Sequence, residues 1–74
     1  MKLYRTKNYY ENPVLLGQFE TRQECSKKMI ADIESRNSIS YYTRHWFDEQ
    51  GREIIDYGSY SIFYVIIGDN DELK

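Results

Sequence analysis

The sequence predicts an α+β fold: an antiparallel sheet of about five strands, in the order β-β-α-β-β-β, with one helix packed on one face. Three observations lead there. Thr21 and Glu24 have the spacing of a capping box and open a helical stretch with no Gly or Pro. Gly51 and Gly58 divide residues 40–67 into three short runs rich in aromatic and β-branched residues, the composition of strands joined by turns. Asn12-Pro13 separates two further strand-like runs ahead of the helix.

The first strand covers Lys2 to Lys7, and "NYYENP" reads as a loop because Pro13 has no N–H to give to a ladder. Val14 to Glu20 returns as the second strand, with Gly17 marking a bulge or a close neighbour. In the helix, Cys25, Met29 and Ile33 recur every four residues and Ile30 widens this apolar stripe. Lys27, Lys28, Ala31, Glu34 and Ser35 fall on the opposite half. "FDEQGR" fits a three-residue hairpin loop closed by a left-handed glycine. That loop sets Asp48 opposite Arg52, Phe47 opposite Glu53, Trp46 opposite Ile54, His45 opposite Ile55, Arg44 opposite Asp56 and Thr43 opposite Tyr57. A tight turn at Gly58-Ser59 would then pair Tyr57 with Tyr60, Ile55 with Ile62 and Ile54 with Phe63.

Composition narrows the function classes. A single domain over residues 1–68, followed by an acidic tail at 69–74 expected to fray, is near the lower size limit for a self-sufficient core. Cys25 has no partner for a disulfide, and one Cys with one His falls short of a structural zinc set. Ten basic and twelve acidic residues lack the clustered excess of a strong nucleic-acid footprint. No apolar run suits a membrane span, and "MKLYRTKNYY" has no secretory h-region. The expectation is a cytoplasmic protein in a reducing compartment, with no membrane association.

Alternation along the strands sorts side chains into two faces. Ile39, Tyr41, Thr43, His45, Phe47, Ile55, Tyr57, Tyr60, Ile62, Tyr64 and Ile66 form a nearly continuous apolar face on which the helix should dock. The other face collects Tyr42, Arg44, Trp46, Asp48, Arg52, Ile54, Asp56, Phe63, Val65 and Ile67. Its pairs Arg44–Asp56 and Asp48–Arg52 indicate water, yet Trp46, Ile54 and Phe63 lie side by side there. One helix covers one face. The cluster is therefore covered by the N-terminal hairpin folding across it, by a second copy stacked sheet on sheet, or by another protein. Aromatic and Arg side chains are what interface hot spots favour, so Tyr42, Arg44, Trp46, Ile54, Asp56 and Phe63 form the candidate partner-binding set.

Catalytic constellations are weaker. Cys25 on the helix stripe and His45 beneath it would make a nucleophile pair, but a buried Cys is ordinarily a small hydrophobe and a lone His under a helix a satisfied core group. Asp69, Asp71 and Glu72 lack the loop geometry of a calcium site. No enzyme activity, metal or cofactor is expected. Rings on an open sheet can stack bases, which makes single-stranded nucleic acid the alternative partner. Asp48 and Asp56 beside Arg44 and Arg52 weigh against it.

The segment "YYTRHWFDEQGREIIDYGSYSIFYVI" resembles small accessory proteins encoded by phages and mobile elements of Gram-positive bacteria. In these, one helix precedes a strand ending in Trp, a D-x-x-G turn, an "IDYGS"-like turn and an aromatic strand. The resemblance spans residues 19–67. It implies a protein-binding role in a bacterial host cell, as some compact proteins of that setting inhibit defence enzymes, CRISPR nucleases among them. It assigns no site residue.

Overall fold

The computed structural model describes residues 1–36, 44–59 and 61–73. β1 (Lys2–Lys7) and β2 (Glu11–Gln18) form a hairpin, α1 (Arg22–Ser35) follows, and β3 (Arg44–Phe47), β4 (Glu53–Asp56) and β5 (Ile62–Ile67) complete one five-stranded sheet. The order across the sheet is β2-β1-β5-β4-β3, and every neighbouring pair is antiparallel. The last strand thus slots between the two hairpins and joins them.

β2 begins three residues earlier than expected and includes Pro13. The ring is tolerated because β2 is an edge strand, where a missing N–H costs no ladder bond. Register breaks on both sides accommodate the irregularity: one between Arg5 and Lys7, near left-handed Asn12 (φ 48°), and one between Leu3 and Tyr4, beside Gly17. A side chain at Gly17 would meet the Phe19 ring at 2.7 Å, so the backbone must run bare there.

α1 opens on the capping box: Thr21 accepts from the Glu24 N–H and Glu24 from the Thr21 N–H. Cys25, Met29 and Ile33 are buried against Leu3, Ile55, Tyr57, Tyr64 and Ile66. Ile30 is exposed, contrary to the expected widening of the stripe. It sits about 100° round the helix from Met29, at the flank of the stripe. Two charged residues, Arg22 and Asp32, fall within the stripe's arc instead and face the sheet. Arg5 Nη1 donates to both Asp32 oxygens at 2.8 and 3.1 Å, and the Tyr64 hydroxyl donates to Asp32 at 2.6 Å. Arg22 donates through Nε and Nη2 to the two oxygens of buried Glu53, each at 2.8 Å. These bonds fix the helix to β1, β5 and β4.

The β3–β4 register is the expected one at all four pairs, Arg44–Asp56 to Phe47–Glu53. Gly51 takes φ 79° and donates to the Asp48 carbonyl, while the Asp48 N–H donates to the Arg52 carbonyl. The β4–β5 register differs: Ile54 faces Val65 and Ile55 faces Tyr64, two residues beyond the expected partners. The connection is longer than a tight turn. The Asp56 carboxylate accepts from the Gly58 N–H and Ser59 Oγ from the Ile62 N–H, which uses up the residues a two-residue loop would have left in the strands. Because the slip is even, no side chain changes face. Ile39, Tyr41, Tyr42, Thr43 and Tyr60 lie outside the described residues.

Both faces carry a core. The helix-facing cluster is flanked by Met1, Leu16, Phe19 and Ile62, and the outer face buries Tyr4, Ile54, Phe63, Val65 and Ile67. The acidic tail, expected to fray, is tethered as far as Leu73. Asp69 binds the Met1 amino group, Lys2 donates to the Asp71 carbonyl at 2.9 Å, and Leu73 packs on the outer cluster.

Candidate protein-binding face

The tip of the first hairpin supplies the outer cover. Asn8 and Tyr9 take left-handed φ values of 50° and 77°, turning the chain over the sheet. Such angles are costly for residues with a Cβ, and contacts at the tip offset that cost. The Tyr9 carbonyl accepts from Thr6 Oγ1 at 2.7 Å, and the Tyr9 ring stacks on Phe63 with centroids 4.6 Å apart. The same ring meets Trp46 edge-on at 6.1 Å.

This arrangement corrects the expected contact set. Ile54 is fully buried and Phe63 only 6% exposed, so neither offers surface to a partner. Of the three covers the sequence allowed, the N-terminal hairpin is the one observed, through the Tyr9 ring at its tip, and Leu73 adds to it. Trp46 is half-buried at the margin of the cluster, and Arg44 is exposed with its guanidinium 5.4 Å from the centre of the indole. Arg44 Nη2 donates to Asp56 at 3.2 Å, and Asp56 is held by the Gly58 N–H at 2.8 Å. Arg44, Trp46 and Asp56 are therefore brought together, and Tyr42 lies outside the described residues. Tyr9, 49% exposed, joins them as a further candidate, one that the strand pattern did not point to. Tyr9, Arg44, His45 and Trp46 line a shallow concavity of about 290 Å³.

A second cluster locks the tip to the β3–β4 turn. Asp48 accepts from the Gln50 and Arg52 N–H groups, from Arg52 Nε at 2.6 Å and from the Tyr10 hydroxyl at 2.9 Å. The Arg52 guanidinium lies over the Tyr10 ring at 4.6 Å. Partial burial disfavours the Asp48 carboxylate, but the Arg52, Tyr10 and Gln50 donors outweigh it and hold the carboxyl down at about 2. Burial, then the bond to Asp48, pushes the Tyr10 phenol up.

The folded state thus favours ionised Asp48 more than the unfolded chain does. Its stabilisation is complete above the ordinary carboxyl pKa of 3.8 and is lost as pH falls toward 2. With solvent screening, the site contributes about 1–2 kcal/mol. In urea titrations, the stability gap between wild type and Asp48→Asn should be open at pH 5 and should narrow steadily towards pH 2. A gap that stays constant with pH would show that the cluster does not hold Asp48 ionised.

His45 and Cys25 are not brought together. The helix covers β1, β5 and β4 and leaves β3 bare, so His45 is exposed rather than core, with Nδ1 3.3 Å from Glu53. Cys25 is enclosed under the helix, where burial pushes its thiol pKa up. Among the described residues, no three of His, Cys, Asp or Glu converge to hold a metal ion, and no helix is long and apolar enough to cross a membrane. No family model, curated protein or solved structure matches this chain.

Proposed function

We propose that this chain is a small non-catalytic module that binds a protein partner through Tyr9, Arg44 and Trp46 at the exposed margin of the outer sheet face. The observation that carries this reading is the half-buried indole of Trp46, held between the Tyr9 edge and the Arg44 guanidinium on a paired strand. Trp, Tyr and Arg dominate binding hot spots because they combine large apolar area with directional polar contacts. Their rotamers are restrained before any partner arrives, which lowers the ordering cost of association. A nucleic-acid partner fits less well, since Arg44 is paired with Asp56 and Arg52 with Asp48, leaving little unpaired positive charge for phosphates. Stoichiometric inhibition of a host defence enzyme is the partner relationship that the sequence resemblance suggests.

Capture from a bacterial host lysate on immobilised protein, followed by titration of the purified partner, tests the reading. Arg44→Glu should weaken binding at least tenfold, or about 1.4 kcal/mol. Lys28→Glu on the exposed back of the helix should leave it unchanged. Partner binding should also shift the emission of Trp46, the chain's single tryptophan. A partner held equally by wild type and Arg44→Glu would sink the assignment. Binding only to single-stranded oligonucleotides, with steep salt dependence, would replace it with the nucleic-acid alternative.

A further inference from the structure

The two edges of the sheet differ in their fitness to accept another strand. β2 carries Pro13, left-handed Asn12 and two register breaks, all of which spoil a regular ladder. β3 is regular over Arg44–Phe47 and, among the described residues, has no neighbour on its far side. Its free groups can be identified. The Asp48 N–H bonds the Arg52 carbonyl, so by antiparallel alternation Trp46 and Arg44 also turn their main-chain groups towards β4. His45 and Phe47 turn theirs outwards. Among the described residues, Phe47 is also the most exposed large apolar side chain, at 64%.

We infer that a second copy of this chain pairs antiparallel with β3 about a two-fold axis at Trp46, extending the sheet continuously across both molecules. In this register, His45 of each copy exchanges N–H···O bonds with Phe47 of the other, using the groups that β4 leaves free. Trp46 meets its own counterpart at the close, non-hydrogen-bonded position on the outer face. His45 lies beside Phe47 of the other copy on the inner face, repeating the edge-on contact the two rings already make within the chain. Arg44 falls opposite Asp48 of the other copy, so both ends of the pairing carry opposite charges. The neighbouring centre, at His45, has no such match: Arg44 would face Trp46, and the charge pairs would be lost. Self-complementarity about one residue is what a two-fold interface requires. The pairing rests on main-chain groups and does not depend on the proposed function. It would place two copies of the Tyr9–Trp46 margin side by side.

Light scattering over a concentration series, with amide exchange followed by NMR, tests the pairing. The wild type should rise to twice the monomer mass, with His45 and Phe47 amides gaining protection as concentration rises. Phe47→Pro removes an outward N–H that no bond among the described residues uses, and it should remain monomeric while folding normally. A monomer throughout, or a dimer that persists in folded Phe47→Pro, overturns the inference. If Phe47→Pro does not fold, wild-type exchange decides: concentration-dependent protection at His45 and Phe47 supports the pairing, and its absence overturns it. Partner capture by monomeric Phe47→Pro would separate this interface from the partner-binding face.

Discussion

Phe63→Ala should destabilise the fold by about 3–5 kcal/mol, the range for emptying a buried phenylalanine site. The ring lies at the centre of the outer cluster with Ile54 and Val65, and Tyr9 stacks on it from outside. Its removal leaves a void under Tyr9 and withdraws the contact that offsets two left-handed residues at the hairpin tip. Tyr9→Ala should cost less, about 1–2 kcal/mol, because half of that ring is already in water. Urea unfolding of both variants checks the ranking. Trp46 emission should shift to the red in each, as the indole loses its edge-on neighbour. A loss below 1 kcal/mol for Phe63→Ala would mean that the outer face is not a core, and that Phe63 belongs to the binding surface after all.

The contrast between Phe63 and Tyr9 marks how far the sequence could be read. Strand periodicity sorted the residues of β3, β4 and β5 onto the correct faces, and the D-x-x-G turn set the β3–β4 register residue by residue. Alternation is a local property, and a type I turn with a left-handed glycine leaves one pairing open. It even survived the misread second turn, because a slip of two preserves parity. What alternation cannot supply is the identity of the segment lying on top of a face. "NYYENP" offered the signal: two adjacent rings in a turn must be placed somewhere, and a turn beside an apolar sheet can place them on it. The position of β5 between the hairpins was likewise invisible, since the β1–β5 pairing joins the two ends of the chain.

The helix shows the same limit from another side. Reading apolar spacing found Cys25, Met29 and Ile33 but included Ile30 and passed over Arg22 and Asp32. Angular position decides burial, and polarity only decides what partner the buried group then needs. Arg5 and Glu53, on strands that the helix covers, are the complementary charges. Pairing a carboxylate within the helix stripe with an Arg in the first strand requires knowing that α1 crosses β1, which local pattern does not contain.

Asp32→Ala carries the other large expected effect, about 3–5 kcal/mol. The substitution strands two groups at once, the hydroxyl of fully buried Tyr64 and the part-buried guanidinium of Arg5. Tyr64→Phe should cost only about 1–1.5 kcal/mol, since Asp32 keeps Arg5. In the double variant, part of the Asp32→Ala penalty should disappear because the orphaned hydroxyl is gone, giving a coupling of about 1 kcal/mol in a double-mutant cycle. Alkaline titration supplies an independent reading. Burial, then the bond to Asp32, raises the Tyr64 phenol above its ordinary value of 10. The folded state thus favours the protonated ring. Its contribution is complete below about pH 10 and falls as pH rises further, because the unfolded tyrosine ionises first. Wild type should therefore lose stability above about pH 10 more steeply than Tyr64→Phe. Parallel alkaline limbs together with zero coupling would show that Asp32 and Tyr64 do not share a proton-linked bond, and that apolar packing alone seats the helix.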